Sequence, residues 1–153
     1  MKPVTASVEV PQPREEVFDF LDVLANHEQF TDHFLVDWNL SGPSAGVGAH
    51  ARMKVKSPGP DDWLDMKVVA AERPRMTAEE SYGAKGKRHT RGTYMLDELP
   101  DGGTRITFEL AWFEAPLSER LMAPITRSVI GRANAKALRR LAETLANRKE
   151  ETR

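Results

Sequence analysis

The stretch PITRSVIGRANAKALRRLAETLANRK, residues 124–149, decides the fold. It holds a single glycine, Gly131, and no proline after Pro124. Ile130, Ala137, Leu138, Leu141 and Leu145 fall on one stripe at helical spacing, with Arg132, Lys136, Arg139, Arg140 and Glu143 mostly off it. The pattern predicts one long amphipathic helix closing the chain. Pro124 lacks an amide donor and disfavours helical backbone at Ala123, and Leu117, Leu121 and Ile125 do not align with the later stripe. The long helix is therefore expected to begin near Pro124, with residues 116–122 a separate turn or short helix. A helix of that length needs a broad surface to lie on.

The residues before it supply strands. Val4, Ala6, Val8 and Val10 alternate with Thr5, Ser7 and Glu9. Pro11 and Pro13 end this strand, and Pro13 suits the first turn of a helix carrying Val17, Phe20, Leu21 and Leu24 on one face. A second short helix is expected over residues 26–32, anchored by Phe30. Strand patterns follow: Phe34, Val36, Trp38 and Leu40; then Ala51, Met53 and Val55; then Leu64, Met66, Val68 and Ala70. Two further strands run over residues 76–82 and 87–98. The last hairpin reads as a three-residue loop, residues 101–103, with glycine at the left-handed position. That register pairs Leu96 with Phe108 and Tyr94 with Leu110. It puts Tyr94, Leu96, Ile106, Phe108, Leu110 and Trp112 on the concave side. The class is α+β: a curved antiparallel sheet gripping a long C-terminal helix, with two short helices after the first strand. A cupped sheet meets one helix closely over only part of its surface, so a hollow is expected between them.

Composition bounds the function. The chain has 153 residues, 22 Lys and Arg against 23 Asp and Glu, and no cysteine. Disulfides and thiolate metal sites are excluded. Lys85, Lys87, Arg88, His89 and Arg91 form a basic cluster, but strand alternation splits it between two faces, so no nucleic-acid partner is expected. The N-terminus has no apolar leader and no apolar run reaches spanning length, so no integral membrane association is expected and a cytoplasmic location follows as the default. A single domain over residues 1–149, with a frayed tail at 150–153, a monomeric or weakly dimeric state and no cofactor complete these expectations. No histidine pair has metal-ligand spacing, and residues 42–48 lack the lysine of a phosphate loop.

The chain resembles the START-like, helix-grip superfamily, which includes birch-pollen-allergen-like proteins and bacterial polyketide cyclase/dehydrase proteins. The resemblance is carried by VEVPQPREEVFDFL at residues 8–21, NHEQF at 26–30, GGTRIT at 102–107 and RANAKALRRL at 132–141. It covers nearly the whole chain. It implies a ligand cavity between sheet and helix, in a superfamily that holds lipid and hormone carriers, polyketide aromatase/cyclases and chaperone cofactors.

The candidate ligand-binding residues are Phe34, Trp38, Met53, Met66, Tyr94, Leu110 and Trp112 for an apolar body, with Glu80, Tyr82, Arg88 and Asn134 to orient oxygens. Glu80 reads as inward if Met76, Ala78, Glu80 and Tyr82 share the concave face; the alternative register turns Glu79 and Ser81 inward. In the first register Glu80 lies near Arg88 and the two form a polar end to the pocket. Asn134, on the apolar stripe, needs a partner from ligand, strand backbone or water. The four histidines read as exposed. The expected function is binding or transport of a hydrophobic or amphipathic small molecule: a lipid, a sterol-like compound, an isoprenoid or an aromatic polyketide. The alternative is a polyketide aromatase/cyclase using Glu80, Tyr82 and Arg88 as acid/base groups.

Overall fold

The computed structural model describes residues 1–151, with side chains through residue 148. Strand β1 (Val4–Val10) leads into helix α1 (Arg14–Asp22), a 3-10 turn (Leu24–His27) and helix α2 (Glu28–Thr31). Six strands follow: β2 (Leu35–Ser41), β3 (His50–Val55), β4 (Asp62–Glu72), β5 (Met76–Gly83), β6 (Arg88–Glu98) and β7 (Thr104–Glu114). Helix α3 (Leu117–Leu121) and the long helix α4 (Ala123–Glu151) close the chain. The break between them falls one residue before the expected start at Pro124. The expected tail is helical through Glu151, and residues 152–153 lie outside the described residues.

All seven strands form one antiparallel sheet in the order β1-β7-β6-β5-β4-β3-β2. Helix α4 packs along β1 at one side of the sheet and against α2. Arg127 ties its start to the N-terminus by donating to the carbonyls of Lys2 and Pro3, each at 3.0 Å. Arg140 donates to the Gln29 carbonyl at 3.0 Å and pairs with Asp32, fixing α2 against the helix. Leu138, Leu141 and Leu145 are buried, as the stripe requires.

The apolar interior divides in two. One cluster joins α1, α2 and α4 to β6 and β7 through Phe18, Phe20, Phe30, Leu96, Ile106 and Leu141. The other fills the β2–β4 side with Leu24, Leu35, Ala51, Met53, Met66 and Val68. Phe34 packs against both clusters.

Register corrects several expectations. The last hairpin pairs Leu96 with Ile106 and Tyr94 with Phe108, two residues from the expected pairing. Its loop is residues 100–102, closed by the Leu99 amide on the Gly103 carbonyl at 2.9 Å, and Gly102 sits at φ 86°. A shift of two preserves the face, so the concave set stands. Strand β2 carries a bulge between Val36 and Asn39, with Asp37 at φ 57°. The extra residue turns Leu35 rather than Val36 inward while keeping Trp38 inward. A second irregularity between Val68 and Ala70 puts Ala71, not Ala70, against the core.

Candidate functional site

A cavity of about 330 Å³ lies between α4 and the sheet. One wall is apolar: Phe34, Leu35, Trp38, Val55, Leu64 and Met66 from the β2–β4 side, with Phe108, Leu110 and Trp112 from β7. Ile130, Asn134, Ala137 and Leu138 of α4 close it from above. The other wall is polar and comes from β5 and β6, where Glu79 pairs with Gly92 and Ser81 with Thr90 across the strands. Gly92 is needed there: a Cβ would lie 2.8 Å from Phe108 Cζ and 3.3 Å from Glu79 Oε1.

Of the residues expected to bind ligand, Phe34, Trp38, Met66, Arg88, Tyr94, Leu110, Trp112 and Asn134 line this cavity. Met53 does not; it is fully buried in the second cluster and supports the wall from behind. Glu80 and Tyr82 are corrections. Strand β5 has the alternative register, with Thr77, Glu79 and Ser81 buried and Tyr82 about half exposed. Glu80 pairs across the strands with Arg91 and meets His89 Nε2 at 2.7 Å, and Tyr82 stacks on the same imidazole at 4.2 Å. The expected Glu80–Arg88 pair does not form. The physical reason is that the apolar residues of β5, Met76 and Ala78, lie on the outer parity, so alternation alone points the wrong way.

Arg88 instead bridges the sheet to α3. Its Nη1 donates to Asp62 Oδ2 at 2.8 Å, and its Nε and Nη2 donate to Glu119 at 3.1 and 2.8 Å. All three residues line the cavity beside Ser57, an exposed residue of the β3–β4 connection, so this end approaches solvent.

The deep end holds a group that spacing did not reveal. His27 is buried, contrary to the exposed reading, because the 3-10 turn folds it under α1 and against Tyr94, edge to face at 5.6 Å between centroids. Its Nε2 lies 2.7 Å from the Leu21 carbonyl. A carbonyl only accepts, so Nε2 carries the proton and Nδ1 keeps a lone pair. That Nδ1 is 3.9 Å from Glu79 Oε2, too long for a hydrogen bond. Burial pushes His27 down to about 4 and Glu79 up to about 8, so both are neutral at pH 7. Burial, and then the nearby Glu79 carboxyl, also raise Tyr94. Asn134 is buried with Nδ2 unpartnered, opposite these groups. The only sequence signal for His27 was its place in the NHEQF segment.

The other three histidines are engaged elsewhere. His33 donates through Nε2 to the Ala133 carbonyl at 2.9 Å and receives Arg140 on Nδ1 at 3.0 Å; His50 bonds Ser41; His89 bonds Glu80. Among the described residues no cluster of three or more His, Asp or Glu side chains is placed to hold a metal ion, and no helix is long and apolar enough to cross a membrane.

Chemically, the site offers an apolar bed with a few uncharged hydrogen-bonding groups at its deep end. Glu79 as a neutral acid, Asn134 and Tyr94 supply donors, and His27 Nδ1 supplies an acceptor. Solved structures share this architecture. The protein TTHA0849 from Thermus thermophilus superposes with a TM-score of 0.75 at 15% identity, covering 95% of this chain and 98% of that one. DynU16, a protein of the dynemicin biosynthetic locus, gives 0.66 at 20% identity over 95% of this chain and 48% of its own. Ara h 8.0201 gives 0.60 at 14% identity over 92% and 98%. At these identities the likeness shows the fold. No curated protein matches the chain in sequence. The family described as polyketide cyclase / dehydrase and lipid transport matches residues 1–146, and the chain belongs to that family.

Proposed function

We propose that the protein binds an amphipathic small molecule in the cavity between α4 and the sheet, burying its apolar body and hydrogen-bonding its polar end. The observation that carries this reading is the division of the cavity wall. Apolar side chains from β2–β4, β7 and α4 face a strand that lines the cavity with polar residues, Glu79 and Ser81. A core built for stability alone has no use for an unpaired carboxyl and an unpartnered amide. A ligand with one polar end supplies what they lack. The volume suits a compact ligand, such as an isoprenoid, an aromatic polyketide or a short lipid chain.

Catalysis is the second reading, favoured by the convergence of His27, Glu79 and Tyr94 at one end. Folding and cyclising a poly-β-keto chain requires a base able to enolise a ketone. His27, held down at about 4, is a weak base for that work. Binding without turnover is therefore placed first.

Native mass spectrometry of freshly purified protein tests the reading. A co-purifying small molecule is expected, lost when Leu110→Trp fills the cavity in a protein that remains folded. Retention of the same molecule by the filled variant contradicts it. Cyclisation of poly-β-ketone by the parent protein, abolished by Glu79→Gln while binding persists, moves the conclusion to the enzyme.

A further inference from the structure

The charges around the cavity are unevenly balanced. Arg88 is the one Lys or Arg among its described lining residues, against Asp62, Glu79 and Glu119. Its guanidinium is already engaged by two carboxylates, with three donors committed at 2.8, 2.8 and 3.1 Å. That cluster is net negative, so it offers nothing to an entering anion. At the deep end Glu79 makes no hydrogen bond with a described residue, and His27 has given its only proton to Leu21.

The available groups there are neutral. Asn134 Nδ2 is an unpartnered buried donor, which calls for an acceptor on the ligand. Tyr94 carries a buried phenol, and burial keeps Glu79 protonated at neutral pH. A carboxylate or phosphate head would be stripped of water without gaining a free cation, which is strongly unfavourable. An ammonium head would leave the Asn134 donor unanswered.

We infer that the cavity selects an uncharged, acceptor-bearing head (a ketone, an ester or a hydroxyl) over the anionic head of the same skeleton. This rests on the ligand-binding reading and adds to it the chemical class of the ligand. The specificity comes from what the wall withholds: Arg88, the one Lys or Arg among the described lining residues, is neutralised before the ligand arrives.

The test uses the full chain and matched probes: naphthyl methyl ketone with naphthoate and naphthylmethylamine, and dodecanol with dodecanoate. Each competes with the neutral reporter N-phenylnaphthylamine at neutral pH, with calorimetry as a second readout. The ketone and the alcohol are expected to bind at least about tenfold tighter than their charged counterparts. Equal or tighter binding of the carboxylates or the amine overturns the inference while leaving the cavity a ligand site. Binding by none of them overturns the ligand-binding reading and the inference with it. The doubly substituted Asp62→Asn, Glu119→Gln protein frees Arg88 and is expected to narrow the gap between ketone and naphthoate. An unchanged gap, in protein that still binds the ketone, contradicts neutralisation of Arg88 as the cause.

Discussion

Replacing Glu79 with glutamine is expected to stabilise the protein, and to do so increasingly as pH rises. Burial moves the Glu79 carboxyl from the ordinary 4.5 to about 8. Between those values the unfolded chain has released a proton that the native state still holds, so stability falls as pH rises through that window. The interval corresponds to ~5 kcal/mol as an upper bound, and cavity water reaching the carboxyl reduces this to about 2–5 kcal/mol. His27 works in the opposite sense. Its native value near 4 lies below the ordinary 6.5, so native protein binds fewer protons there and stability rises with pH between the two. The slopes oppose each other over their overlap, and between 6.5 and 8 the Glu79 contribution stands alone. The parent protein should lose up to about 2 kcal/mol across that interval from this group, and Glu79→Gln should not. Urea denaturation followed by tryptophan fluorescence at several pH values reads the difference between the two proteins. The difference should be near zero below 4.5 and reach its full value above 8. A difference independent of pH would refute the argument, because Glu79 would then titrate as an ordinary exposed glutamate.

Two further outcomes follow from the geometry. Arg88→Met leaves Asp62 and Glu119 half-buried without their partner and should destabilise by about 2–4 kcal/mol in the same assay, with Glu119→Gln milder because Asp62 still holds the guanidinium. Asn134→Leu removes a buried donor that has no partner, so it should raise stability by about 1 kcal/mol while weakening binding of a ketone probe several-fold; loss of stability with unchanged binding would assign Asn134 to structure alone.

How far residues spoke for themselves depends on how many of them shared one message. The stripe on α4 repeats over several turns, so its buried face was legible, as was the break that Pro124 enforces. The concave face of β6 and β7 was legible because parity survives a shift of two, whereas the loop was not, since Gly102 and Gly103 both suit a left-handed position and only Gly102 takes it. The bulge at Asp37 reverses parity within β2 without any glycine to announce it. Strand β5 misled because its inner face carries Thr77, Glu79 and Ser81, so the rule that apolar residues point inward fails there. His27 was invisible locally because its burial depends on Leu21, Tyr94 and Glu79, contributed by three separate elements.

On the proposed reading the ligand sits inside the cavity rather than on the exposed apolar side chains of Leu117, Leu121, Met122, Ile125 and Val129. Methyl-resolved NMR with a bound naphthyl ketone tests it most directly. Intermolecular nuclear Overhauser contacts are expected from the ligand to methyl groups of Leu64, Met66, Leu110, Ile130 and Leu138, which line the cavity. Contacts confined to Leu117, Leu121 and Val129, with the cavity methyls unmoved, would contradict the account.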